Sequence, residues 1–172
     1  MTANTYEGSI QQFKKMLGQL DQWLEKAVAH AQKKSFDPNV LVQARLAPDQ
    51  YPLVRQVQSS CDTAKFAAAR LTGKEAPKHP DTEQTIEELR ARVRSCIAFL
   101  DTVKSEDYAA SEGRRIELPF LEGKILLAVD YLREMATPNF YFHLTHAYAI
   151  LRHNGVDLGK MDYIGSLSTK DR

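Results

Sequence analysis

His143 and His146 stand three apart in PNFYFHLTHAYAILRHNG, residues 138–155, a spacing that puts both imidazoles on one helical face. Two neutral imidazoles and a carboxylate from a neighbouring helix can hold a divalent ion such as zinc or nickel. Asp62, the acidic residue in the middle of the segment from Pro48 to Leu71, is the carboxylate candidate. Tyr141, seven residues before Tyr148 on the same face, can line a pocket or a dimer seam. The competing reading is plainer. Both histidines would hydrogen-bond to buried partners, Asp62 would sit at a solvated edge beside Lys65, and the tyrosines would be ordinary amphipathic packing. Two ligands at helical spacing without a third are weak evidence for a metal. The segment therefore reads first as a buried helix, and at second remove His143, His146, Asp62 and Tyr141 are the candidates for a small-ligand site, with no resident metal expected.

Other chemistry-bearing residues have simpler explanations. His153 lies about 10 Å along the axis from His146 and is accounted for by the helix dipole at a C-terminus. Cys61 and Cys96 both fall on apolar stripes with no cation obvious in either sequence context, so they read as small buried hydrophobes. Asn139 can bind backbone of the incoming crossover. The acid pairs Glu87-Glu88 and Glu106-Asp107 lack the enclosed setting that would raise a carboxylate pKa for acid catalysis.

The elements that must position these residues are helices. Ile10, Phe13, Leu17, Leu20, Leu24, Ala27 and Ala31 recur at alternating steps of three and four, one face of a long helix. Val54, Val57, Cys61, Ala64, Ala68 and Leu71 make a second stripe, with Pro48 suited to its first helical position and Gly73 to its end. Ile86, Leu89, Val93, Cys96, Leu100 and Val103 make a third, with Asp81 and Gln84 at capping-box spacing and Thr82 as the competing cap. Glu88 and Arg92, four apart, read as an outward pair. The fourth helix runs from Pro138 to Asn154-Gly155. It carries three stripes, the last being Phe142, His146, Ala149 and His153, and a helix apolar nearly all round should be enclosed by the bundle, a dimer partner or both.

About thirty residues separate helices three and four. Ile116, Leu118 and Phe120 alternate with Arg115, Glu117 and Pro119, and GKILLAV follows, which predicts two short extended pieces and a small β-hairpin. Asp130 is then placed to cap a short helix, YLREMA. The last stretch, VDLGKMDYIGSLSTKDR, reads as an irregular tail. The fold class is all-α: a four-helix bundle over residues 1–172 with one long crossover.

Composition narrows the function. The 23 basic and 22 acidic side chains nearly cancel, whereas a duplex-binding protein carries a marked basic excess. No apolar run reaches the ~20 residues of a membrane span, and the N-terminus lacks a secretory pattern. Two cysteines far apart fit a reducing compartment, so a cytoplasmic protein is expected, binding neither nucleic acid nor membrane.

The stretch PNFYFHLTHAYAILRHNGVDLGKMDYIG, together with ARLAPDQYPLVRQV, resembles a bacterial family of unknown function within the DinB/YfiT-like superfamily of proposed metalloenzymes. The resemblance covers most of the chain. It implies a DinB-type four-helix bundle, often a homodimer, whose characterised relatives include metal-dependent thiol transferases and a mycothiol-dependent isomerase. Their typical site has one histidine on helix two and an H-x-x-x-H pair on helix four. Here helix two has no histidine, and Ala147 and Ile150 stand four residues after His143 and His146. The full three-histidine set is absent, so the expectation is a small-ligand-binding or cryptic site. The alternative is a metal-dependent enzyme, such as a thiol S-transferase, with a site rebuilt from His143, His146 and Asp62. A structural protein whose fourth helix serves a partner is a third class.

Overall fold

The computed structural model describes residues 3–109, 111 and 113–171. Helix α1, Ala3–Tyr6, passes through a π-helical turn, Glu7–Gln11, into α2, Gln12–Lys34. A 3-10 turn, Pro38–Gln43, leads to α3, Leu53–Thr72, and α4 spans Ile86–Asp101. The short α5, Ser105–Ala109, precedes an antiparallel hairpin of β1, Arg115–Glu117, and β2, Ile125–Leu127, with Ile116 opposite Leu126. Then α6, Ala128–Asp130, a π-helical segment, Tyr131–Ala136, and α7, Thr137–His153, follow one another directly, and α8 is Lys160–Ile164.

The bundle is a ring of four. Helix α3 packs on α4 and α7, and α2 packs on the same two from the other side. The apolar stripes turn inward as their spacing requires. Ile10, Leu17, Leu20, Leu24, Val57, Ala64, Ala68, Leu89, Val93, Leu100, Phe140, Ala147 and Ile150 are all fully enclosed in one continuous core. The hairpin lies where alternation puts it, with Ile116 and Leu118 buried.

Four local expectations are corrected. Helix α3 begins at Leu53, not at Pro48, because Pro52 pushes the residue before it out of the helical region and itself adopts ψ 168°, extended backbone. The capping box of α4 is Thr85 with Glu88, whose carboxylate accepts from the Thr85 amide at 2.9 Å, while Asp81 is taken by arginines. Asp130 caps nothing and pairs with Arg133. YLREMA is no separate helix but a π-helical segment continuous with α7. The wider turn precedes Pro138, whose ring would clash with the carbonyl four residues back in a regular α-helix and whose missing amide leaves that carbonyl unpaired. The tail is irregular outside α8, where Tyr163 stacks on Trp23 at 5.4 Å and the Trp23 indole donates to the Asp162 carbonyl.

The third stripe of α7 is not enclosed by the bundle. Phe142 is 54% exposed and His153 lies on the surface. In the ring α7 packs on α2 and α3, and Phe142 and His153 lie away from both.

Candidate functional site

Helix α3 carries a second stripe beside its apolar one: Ser59, Thr63, Phe66 and Arg70, at steps of four, three and four, with Asp62 beside Thr63. Across from it, the rod formed by the π-helical segment and α7 presents Tyr131, Met135, Asn139 and His143, each four residues after the last. These two stripes wall a cleft of about 240 Å³, closed at one side by Leu118, Pro119 and Phe120 from the hairpin.

Three hydrogen bonds cross between the two walls. His143 Nδ1 meets Gln56 Oε1 at 2.8 Å, Asn139 Nδ2 donates to Thr63 Oγ1 at 2.7 Å, and Arg70 Nη1 donates to the Tyr131 hydroxyl at 2.9 Å. On α3 the participants are seven apart, so the rungs repeat about every 10 Å along the helix. The opposing numbers fall as these rise, the signature of antiparallel rods.

Each rung leaves different capacity unused. Gln56 spends its amide N–H on the Tyr51 carbonyl at 3.1 Å, so its oxygen is an acceptor and His143 Nδ1 must carry the proton. That fixes the tautomer and leaves Nε2 with a free lone pair. Burial, then the nearby His146 and Arg55, hold the His143 pKa down to about 4, so the ring is neutral at ordinary pH. Thr63 is saturated, since its hydroxyl also donates to the Ser59 carbonyl. Arg70 lies over the rings of Phe66 and Tyr131, 5.3 and 5.5 Å from their centroids. Among the described residues no carboxylate stands within ion-pair reach of it.

The opposite flank of α3 is saturated. Arg92, with its side chain 1% exposed, points into the molecule and bonds Asp62 at 2.6 Å, Asp81 at 2.7 Å and Glu83 at 2.9 Å. This corrects its reading as an outward partner of Glu88. Burial works against its charge, but Glu83, Asp62 and Asp81 outweigh that and raise its pKa. Arg92 Nε is buried with no partner among the described residues. Lys65, also buried, bonds Asp62 at 2.7 Å and His79 Nδ1 at 2.9 Å, and His79 reaches Ser95. Burial, then the Lys65 and Arg92 charges, lower the His79 pKa and keep it the neutral acceptor that a lysine needs.

Of the residues singled out from sequence, Asp62 and His143 line the cleft; His146 and Tyr141 do not. His146 binds its own helix through the Phe142 carbonyl. Tyr141 is half-buried and faces Gln12 on α2, and burial raises its pKa. Asn139 bonds a side chain across the cleft rather than crossover backbone. Cys61 and Cys96 are fully buried, as expected, but the Arg92 charge reaches both and the Lys65 charge reaches Cys96. The hydrogen bond with Cys96, followed by burial, pushes the Cys61 thiol up. Gln56, one of the polar residues that helix two offers in place of a histidine, is the one that meets His143; the residues that sequence reasoning missed are Arg70 and Tyr131, and only Arg70 had a signal, its seven-residue step from Thr63 along α3.

The donor set does not suit the metal that the fold suggests. The Asp62 carboxylate is taken by Lys65 and Arg92, His146 is turned to its own backbone, and Gln56 rather than a third histidine faces His143. No three His, Cys, Asp or Glu side chains among the described residues converge as a metal group. No described helix is long and apolar enough to cross a membrane.

A family model described as a domain of unknown function, DUF1993, matches residues 5–164. A solved structure, that of a DinB family member protein from Shewanella denitrificans, superposes with a TM-score of 0.93 at 46% identity, covering 98% of this chain and 96% of that one. No curated protein matches the chain.

Proposed function

This chain belongs to the DUF1993 family of DinB-like helical bundles, and from that premise we propose that it binds a small organic ligand in the cleft between α3 and α7 without a resident metal. One observation carries the reading: the seam between these two helices is polar at three successive levels, and each level keeps an unspent hydrogen-bonding group on a side chain that lines a shared cleft. A seam that served packing alone would be apolar, since each buried polar group costs free energy unless it is paired. The neutral His143 offers an acceptor in Nε2, Asn139 offers its amide oxygen, and Arg70 offers donors. At a pKa of about 4, His143 is a poor general base at neutral pH, which favours binding over proton transfer.

Nuclear magnetic resonance of the labelled full chain with a small fragment library tests this. Binders should perturb the amides of Thr63, Asn139 and His143. If every fragment that binds leaves those three unmoved, the proposal fails.

A second reading, a metal-dependent enzyme such as a thiol S-transferase, draws on the same histidine, because its Nε2 lone pair is what a metal ligand requires. Stoichiometric zinc or nickel in protein purified without a histidine tag, lost in His143→Ala, would replace the first reading with this one.

A further inference from the structure

The end of the cleft at Arg70 has a chemistry of its own. A guanidinium held between two aromatic faces, with one N–H on a tyrosine hydroxyl, is fixed in place and orientation. Tyr131 is 2% exposed and cannot swing away. Phe66 is partly exposed and forms the outer wall. Two other buried or half-buried arginines, both on α4, are answered by acids, Arg90 by Asp21 and Glu25 and Arg92 by three carboxylates, whereas the half-buried Arg114 by the hairpin, like Arg70, has no acid among the described residues. Arg70 is half-buried, immobilised and, among the described residues, unanswered. Its one hydrogen bond uses one of five N–H donors, and the planar fork that remains matches the two oxygens of a carboxylate.

The other charge on the cleft wall, Asp62, does not compete for this role. It lies two turns from Arg70 on α3, and its negative charge is already shared between Lys65 and Arg92. The cleft that Arg70 lines also has apolar walls, from Met135 and from Leu118 and Phe120 of the hairpin. A single fixed cation beside an apolar wall suits a monoanion carrying a hydrocarbon body.

We infer that the ligand of this cleft is a monocarboxylate, its carboxylate seated on Arg70 between Phe66 and Tyr131 and its hydrocarbon body against the hairpin. This rests on the ligand-binding reading above and names the class of ligand.

Matched six-carbon probes separate the two claims. Hexanoate, hexan-1-ol and hexylamine are titrated into the full chain, with amide shifts followed at Phe66, Arg70 and Asn139. Hexanoate should bind at least about tenfold more tightly than hexan-1-ol, as one charge-assisted pair would give. In Arg70→Gln that advantage should disappear while hexan-1-ol still binds as before, which also shows that the variant is folded. Equal affinity for the alcohol and the acid would overturn the carboxylate assignment and leave the ligand-binding reading standing. A preference for hexylamine would overturn it too, in favour of Asp62 as the charge that selects. Should none of the three move the cleft amides, the carboxylate assignment falls, and the fragment screen alone decides the ligand-binding reading.

Discussion

The two flanks of α3 carry the same kinds of side chain and use them differently. Towards α4, Arg92 and Lys65 are buried with Asp62, Asp81, Glu83 and His79 around them, and nearly every donor meets an acceptor. Towards α7, Arg70 and His143 each make one cross-wall bond and retain capacity. The first arrangement ties α3 to α4 and to the loop between them. The second leaves groups that only another molecule can use. Asp62 belongs to both, since it lines the cleft while its charge is spent on the far side, so the saturated flank also makes the cleft's acid unavailable.

The largest effect should come from breaking the saturated flank. In Arg92→Met the carboxylates of Asp62, Asp81 and Glu83 lose the cation that holds them together, and removing one partner of a buried ionic cluster costs on the order of 3 kcal/mol. Urea denaturation of the variant measures it. A loss below about 1 kcal/mol would mean that these ion pairs are too well solvated to organise the fold.

Acid titration separates the flanks next. The folded state holds His143 at about 4, below its ordinary value of 6.5, so the unfolded chain binds the extra proton between those two pH values. Stability is therefore full above pH 6.5 and falls as pH drops towards 4, by on the order of 2 kcal/mol from this residue. His79 is lowered too and contributes in the same direction. At Asp81 and Glu83 burial raises the pKa, but the hydrogen bonds and charge of Arg92 outweigh it and the net shift is downward. Their contribution persists above the usual carboxylate range and is lost only at more acid pH. Denaturation curves from pH 7.5 to 3 should show two descents, and His143→Gln should flatten the first while sparing the second. A parent curve flat from 6.5 to 4 would refute the neutral, buried histidine.

How far this contrast could be read in advance depends on where the partners lie. The core stripes of α2, α3 and α4 were legible because each is a local spacing, and the hairpin was legible because Ile116 and Leu118 alternate with charged neighbours. Arg92 was misread because a four-residue step to Glu88 is equally local, yet its true partners sit on another helix and in the loop at Asp81 and Glu83. The rung of Arg70 and Tyr131 joins residues 61 apart, and its existence depends on the register of α3 against α7. That register depends in turn on the π-helical segment, which no periodicity in YLREMA announces. His143 and Asp62 were recognisable as polar residues in apolar surroundings; what each one touches was not.

A smaller effect is expected at the middle rung. Asn139→Ala removes the bond to Thr63, whose hydroxyl still has the Ser59 carbonyl, so the cost should be about 1 kcal/mol. The change in melting temperature measures it, and a loss as large as that of Arg92→Met would erase the distinction between the flanks.

The smallest effect sharpens the comparison most. Arg70 and Arg92 are both held in place on helices that flank one another, but Arg70 answers no acid among the described residues. Arg70→Gln should lose only the two ring contacts and the bond to Tyr131, of which the exposed part contributes least, for a total below about 1 kcal/mol. No carboxylate is left uncompensated, so no penalty of the Arg92 kind arises. Parallel urea curves for the two arginine variants put the flanks on one scale. A steep loss at Arg70 would show that it is tied into the fold as Arg92 is, whereas near-parent stability would mark it as a charge held in readiness for something outside the chain.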